Sequence, residues 1–322
     1  MFTLRTRRWL TGAALCLASA AWAQWPDHPI RIMVAYPAGS TGDNVVRLMT
    51  EELRARLGQP VVIENKAGAG GNIAAAQVAQ AKPDGHTLLV GAANNFAANQ
   101  FLYKNLGFDP VESFEPIAAL VDVPSVLFIN STLAARNFAE FTALAKASGG
   151  RMSYASPGTG TPPHLAAEMV NRAAGWGLLH VPYRGSPQTV AALLGNEVQL
   201  ILAGAGVGQQ HVKAGKLRAL AVGAARRLPE FPDAPTLGEL GLGHIKASTW
   251  WGVAAPKGTP PAVVQKLRQA FTDTVAEPRV QDQLRRLGTV PLGGAAADLA
   301  ALIKDDTAYW GPAIRAMGVQ AE

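Results

Sequence analysis

Cysteine is almost absent from this chain: the single one, Cys16, lies within the first 23 residues, so a protein cleaved after them holds no thiol. That excludes disulfides, cysteine-ligated metals and thiol catalysis from the remainder, and it suits an oxidising compartment. Charge is scarce as well, at 16% of 322 residues, and no Lys/Arg run with interleaved aromatics occurs. Nucleic acid is thereby removed as a partner. Long apolar runs are missing too. The best candidate, TGAALCLASA at 11–20, falls short of the roughly 20 residues that a bilayer span needs.

The amino terminus instead combines basic RTRRWL, that short apolar run and the small residues of AWA before Gln24. This pattern predicts a secretory signal peptide over 1–23 and a periplasmic protein beginning at Gln24. Arg7 and Arg8 followed by Trp9 and Leu10 fit a twin-arginine signal in part and an ordinary basic start equally well, so the export route stays open. Loss of Arg5, Arg7 and Arg8 takes the formal charge from +6 to +3.

With 48% hydrophobic residues the chain can bury a sizeable core, and its length suits two domains better than one. Strand-like apolar runs alternate with helical patterns. IRIMVAYP (30–37) precedes a helix in which Val46, Met49, Leu53 and Leu57 share a face and Gly58 supplies the C-cap. PVVIEN (60–65), the helical NIAAAQVAQAK and HTLLVG (86–91) follow, completing a βαβαβ unit with parallel strands. A Pro- and acid-bearing connection at 108–124 leads to a second alternating run from SVLFIN (125–130) to about 224. The remainder offers about one good strand. The sequence thus predicts an α/β fold of two lobes, each a mostly parallel sheet flanked by helices, joined by two crossovers: 24–123 with 225–322 as lobe one, and 124–224 as lobe two.

In open α/β sheets ligands sit beyond the carboxyl ends of strands. The loops there are PAGSTGD (37–43), NKAGAGGN (65–72), GAANNFAAN (91–99), SPGTGTPPH (156–164) and YRGSP (183–187), all small, polar or glycine-rich. Any one could be a tight turn, but five at one sheet edge suggest a cleft whose backbone N–H groups suit carboxylate or phosphate oxygens. Tyr36, Asp43, Gly70, Asn94, Asn95, His164 and Tyr183 are candidates in or beside these loops.

Other chemistries are less well served. Ser156 and His164 are eight residues apart with no G-x-S-x-G elbow, so esterase activity at Ser156 is a remote alternative. GAGG at 68–71 lacks the lysine of a phosphate-binding loop and the dinucleotide spacing. His28, His86, His164, His180, His211 and His244 are scattered singly, giving no metal-ligand spacing, and no cofactor is implied.

HPIRIMVAYPAGSTGDNVVR, VVIENKAGAGGNIAAAQVAQAKPDGHTLLVG, SPGTGTPPHLAAEM, HVPYRGSPQTVAALLGNEVQ, PDAPTLGELGL and WGVAAPKGTP resemble, in order and spacing, the Bug receptors of tripartite tricarboxylate transporters, over about residues 26–318. The resemblance implies a monomeric two-lobed binding protein that closes on a small carboxylate-bearing solute and delivers it to membrane permease subunits, with no turnover. A carboxylate-sensing co-receptor for a sensor kinase would carry the same features. The resemblance also implies that Ala38, Gly39 and Ser40 from one lobe and Ser156, Gly158, Thr159, Gly160 and Thr161 from the other hold one ligand carboxylate between them, partly through water. Against the family pattern, Ala38-Gly39-Ser40 replaces Pro-Gly-Gly, Lys66-Ala67 replaces Arg-Pro and Pro187-Gln188 replaces Gly-Pro, while Ala192 and Ala203 stand at frequently acidic or polar positions. With Ala203 expected at a site-facing strand end, only Asp43 is left to meet a ligand ammonium. The expected ligand therefore carries carboxylates and no amine.

The exported protein should begin at Gln24, which N-terminal sequencing of periplasmic material checks. A mature form retaining Trp9 would contradict the signal assignment.

Overall fold

The computed structural model describes residues 25–321, so the expected cleavage site lies outside the described residues. In the first lobe, strands β1 (Ile30–Val34), β2 (Val61–Asn65) and β3 (Thr87–Ala92) alternate with helices α1 (Thr41–Leu57) and α2 (Asn72–Ala79). The strands pair in parallel in the order β2-β1-β3, the arrangement that helical crossovers impose. Gly58 caps α1 in the left-handed conformation, φ 75°, and Ser40 accepts the Asp43 N–H at its other end.

The next element departs from the sequence reading. Residues expected as a connection are the first half of β4 (Phe114–Asn130), a 17-residue strand. Pro116 and Pro124 argue against a central strand, because proline has no N–H to give the ladder. The strand accommodates them by shifting register between Pro116 and Ala118, and by placing Pro124 where pairing changes hands. Up to Pro124, β4 lies antiparallel to β9 (Ser248–Pro256); from Ser125 it lies antiparallel to β7 (Leu200–Gly204) and, across its other edge, to β8 (Leu217–Val222). One strand thus belongs to both sheets.

The second lobe continues through α3 (Phe138–Ala147), β5 (Ser153–Ser156), α4 (Pro162–Ala174), β6 (Leu179–Pro182), α5 (Ser186–Leu194) and α6 (Ala205–Lys213). Strand β5 is parallel to β6 and β7, so the outer strands of each lobe are parallel and the shared inner ones antiparallel. The chain then returns: β9 enters the first sheet between β3 and β4, and α7 (Pro261–Ala276), α8 (Pro278–Arg286), β10 (Val290–Pro291) and α9 (Ala296–Met317) follow. Residues 225–247, expected with lobe one, do not accompany them. Phe231, Ala234, Leu237, Ile245 and Ala247 are buried in the second lobe's cores, where the apolar faces of β4 and β8 need cover.

A small apolar cluster of Ala98, Leu102, Leu165, Trp310 and Ile314 joins α4 of the second lobe to α9 and the segment after β3. None of the described helices is long and apolar enough to cross a membrane.

Gly42, buried in α1, faces the Trp251 ring, and a Cβ built there would lie 2.1 Å from Trp251 Cζ3. In an open helix, Gly→Ala gains about 0.5–1 kcal/mol. Here Gly42→Ala should instead cost about 1–3 kcal/mol by overpacking, measurable as a lower urea midpoint; a gain would refute the packing.

Candidate functional site

Loops from four strand ends meet in a cavity of about 790 Å³ between the lobes. Ala35–Pro37 follow β1, Ala67–Gly71 follow β2, Pro157–Thr159 follow β5, and Tyr183 with Arg184 follow β6; Tyr103, Gln320 and Ala321 complete the wall. Of the residues singled out from sequence, Tyr36, Gly70, Gly158, Thr159 and Tyr183 line this cavity. The others do not, and most have a partner that accounts for them.

In the first lobe, Gly70 is the anchor. Its carbonyl oxygen accepts from Asn94 Nδ2 at 2.7 Å and Asn95 Nδ2 at 2.9 Å, with Tyr36 Oη at 3.4 Å. Tyr36 Oη donates at 2.9 Å to Asn94 Oδ1, Asn94 also donates to Asn99, and Asn95 Oδ1 accepts the Ala92 N–H. Asn94 and Asn95 are completely buried. Expected as ligand contacts, they spend their amides on the loop instead, since a buried amide must be satisfied where it lies. Burial pushes the Tyr36 phenol well above its usual range, so it remains a neutral donor. At Gly71, φ is 91° and a Cβ would lie 2.5 Å from Asn95 Nδ2, so only glycine lets the loop approach these amides.

Asp43 is likewise withdrawn from the cavity. Oδ2 accepts the Gly39 N–H at 2.9 Å, and Oδ1 accepts from Arg47 Nε at 2.8 Å and Asn65 Nδ2 at 2.9 Å. Burial alone would raise this carboxyl, but the bonds from Arg47, Gly39 and Asn65, with the Arg47 charge, outweigh it and hold it below the usual range. It is an ionised brace for the 37–43 loop. Ala38, Gly39 and Ser40 do not line this cavity: Ala38 and Gly39 are exposed beside it, the Gly39 N–H is committed to Asp43, and Ser40 acts as the helix cap. Ala203, expected at a site-facing strand end, is buried in the second core opposite Val126, as is Ala192 nearby.

In the second lobe, Ser156 has a histidine partner, but not His164. Its Oγ lies 2.7 Å from His180 Nε2 and accepts the Gly158 N–H at 3.2 Å. A serine and imidazole at this distance would suit nucleophilic catalysis if the oxygen were reachable. Ser156 is completely buried, and among the described residues no acid hydrogen-bonds the far nitrogen of His180. The pair supports the loop. Thr161 Oγ1 donates to Gly158 O at 2.7 Å, and the Gly160 N–H donates to His164 Nδ1 at 3.0 Å. That bond fixes His164 as the neutral tautomer with its proton on Nε2. The His164 and His180 rings stack at 3.9 Å, with Tyr154 beyond them and bonded to Glu168. Ser156, Gly160, Thr161 and His164 thus shape Gly158 and Thr159 from beneath.

Two further sequence readings change. Tyr183 lines the cavity, but its hydroxyl donates outward to Glu197 at 3.0 Å. Asp27 and His28, adjacent in sequence, meet the distant His86 away from the cavity, with Asp27 Oδ1 2.7 Å from His28 Nδ1 and 3.1 Å from His86 Nε2. The two imidazoles are stacked at 3.5 Å, which sets their nitrogen lone pairs side by side rather than towards one point. A separate cavity of about 580 Å³ lies between Gly39, Thr41 and Asn44 on one side and Ser186, Pro187, Val190 and Leu194 on the other, with Gln209, Gln210, Arg286 and Leu287 completing its wall; of the residues singled out from sequence it takes Gly39. The residues missed from sequence, Tyr103, Arg184, Gln320 and Ala321, include three that reach the wall from elements far from the glycine loops.

Beside the unpaired side chain of Arg184, what the glycine loops offer the cavity is backbone. Among the described residues, the N–H groups of Ala67, Gly68 and Thr159 have no acceptor, and no lining residue carries a carboxylate. Such a surface receives anions. A family described as "Tripartite tricarboxylate transporter family receptor" matches residues 45–319. This chain belongs to that receptor family. Three solved structures are similar to it. The periplasmic binding protein BugD is 36% identical, with a TM-score of 0.87 and coverage of 92% of this chain and 100% of that one. Rhodopseudomonas palustris Rpa4515 with adipate is 29% identical, at TM-score 0.87 over 92% and 99%. MatC from Rhodopseudomonas palustris with bound malate is 31% identical, at TM-score 0.84 over 90% and 100%.

Burial holds His164 at about 3, with the neighbouring His180 adding to the effect, and holds His180 at about 4 against the opposing pull of Glu168. Both bind protons less readily folded than unfolded, where the usual value is about 6.5. Stability is therefore complete above that value and falls as pH drops through it towards the folded values. From pH 7 to pH 5 His164 should account for a loss of about 2 kcal/mol, with a smaller share from the less buried His180. Urea melts at the two pH values measure it. His164→Asn, which keeps an acceptor for Gly160 and removes the imidazole, should flatten the dependence; an unchanged slope would contradict the assignment.

Proposed function

We propose that the protein is a periplasmic receptor, released by cleavage before Gln24, that captures a small dicarboxylate lacking an ammonium group between its lobes and delivers it to the permease of a tripartite transporter. It acts as a monomer and without turnover. The observation carrying this reading is the cavity wall: among the described residues, unclaimed N–H groups at Ala67, Gly68 and Thr159 and no lining carboxylate. An ammonium buried there would lack a counter-charge, because Asp43, the nearest acid considered, already has Gly39, Arg47 and Asn65 on its oxygens. Malate and adipate, bound in two similar receptors, are both dicarboxylates without an amine.

Charge-assisted hydrogen bonds of roughly 1.5–3 kcal/mol each can supply the approximately −8 kcal/mol of micromolar binding after the entropy of association. Titration calorimetry of the mature protein should give micromolar or tighter binding of a dicarboxylate in the size range from malate to adipate. Aspartate should bind more weakly than succinate. No heat with any carboxylate would refute the receptor reading, and tighter binding of aspartate would refute the exclusion of amines. Uptake of the bound acid should stop in cells lacking the protein and return when it is restored.

A further inference from the structure

One charged side chain lines the cavity, and it is a cation. Among the described residues only Arg184 brings a charge to the lining, and it has no hydrogen-bond or ion-pair partner there, whereas Arg31, Arg47, Arg172, Arg227 and Arg268 are all paired with acids. Its backbone is held firmly. The preceding Tyr183 N–H donates to Ser156 O at 2.9 Å, aligning the segment beside the Pro157–Thr159 loop. The following Gly185 packs so closely on the first lobe that a Cβ there would lie 2.9 Å from Pro37 Cγ. Arg184 therefore stands at the seam, one residue from the contact between lobes.

The cavity offers a second anionic group few other partners. The phenols of Tyr36 and Tyr183 already donate to Asn94 and Glu197, and Tyr103 Oη faces Thr159 O at 3.4 Å. The free N–H groups of the glycine loops suffice for one carboxylate. A second carboxylate, at the other end of a short chain, needs a donor that is long, charged and unpaired.

We propose that Arg184 is the specificity-determining residue of this site: its guanidinium takes the ligand's second carboxylate and so selects dicarboxylates over monocarboxylates. The assignment rests on the receptor reading above. A planar fork of donors on an exposed stem can follow ligands of several lengths and still engage a carboxylate through two parallel bonds. It also explains how one loop-built cradle, with no charge of its own, would discriminate between acids that share their first carboxylate.

The test compares succinate with butyrate, of the same chain length and one carboxylate fewer, on wild-type protein, Arg184→Gln and Arg184→Lys. Because Arg184 is exposed, the variants should melt as wild type does without ligand. Wild type should bind succinate at least about tenfold more tightly than butyrate. Arg184→Gln should weaken succinate about 10- to 100-fold while changing butyrate less than about twofold, and Arg184→Lys should fall between because it keeps the charge and loses the fork. The succinate advantage should also shrink with added salt in wild type and not in Arg184→Gln. Equal loss for both acids, or no loss for succinate, would overturn the role of Arg184 and leave the receptor reading standing. Binding of neither acid or any other carboxylate by wild type would overturn both.

Discussion

Strand β4 passes through both sheets, and the position of every loop at the cavity follows from that. Its first half is in register with β9 and its second with β7 and β8, so the strand ends carrying the glycine loops are set by a continuous backbone rather than by lobe contacts alone. Among the described residues the other covalent link between the lobes is the return of the chain from Ala247 into β9 at Ser248. Change of pairing at Pro124 and Ser125 is where the two sheets can turn relative to one another with the fewest shared ladder bonds. Two-lobed receptors close on ligands about such links, and closure removes water from the bound group. The glycines at the seam, Gly185 against Pro37 and Gly206 against the Leu287 carbonyl, permit backbone to meet backbone or ring where the lobes touch.

Within that frame, the polar side chains beneath the cavity loops, Arg184 apart, are spent on the protein itself. Asn94, Asn95 and Tyr36 hold the Gly70 carbonyl, Asp43 braces the 37–43 loop, and Ser156, His164 and His180 support the 157–161 loop. Each satisfied group rigidifies the loop it serves, so under the proposed function the loop N–H groups would need little reordering on binding. The same arrangement accounts for a buried serine–histidine pair in a receptor: the oxygen that could attack is already accepting the Gly158 N–H. Depressed imidazole basicity here serves packing rather than proton transfer, since neutral rings are needed both for stacking and for the Gly160 bond.

Much of this was legible in the sequence, for identifiable reasons. Strands β1 to β3 announce themselves as short apolar runs bounded by Pro, Gly and Asn, and α1 by its apolar spacing and Gly58. The continuity of β4 was hidden by Pro116, Pro124 and the acids between them, because proline argues against a strand unless a register shift absorbs it, and register is a tertiary property. Phe231, Leu237 and Ile245 follow no period, so nothing local says which core they cover. The loops that line the cavity are legible in the sequence, but not which of their residues line it. A glycine loop advertises backbone donors; only packing reveals that Asn94, Asp43 and Ser156 point inward. His180 could have been paired with Ser156 only once β5 and β6 were known to be neighbours, and Gln320 reaches the cavity from the far end of the chain.

The most direct measurement is a crystal structure of the mature protein grown with succinate. The account requires the ligand between the lobes, with one carboxylate within hydrogen-bonding distance of the Ala67, Gly68 or Thr159 N–H groups and no carboxylate of the protein touching it. Succinate lodged instead in the groove of Val190, Leu194 and Leu287, or bound through a side chain of Asp43 or Ser156 swung out of its present bonds, would contradict it.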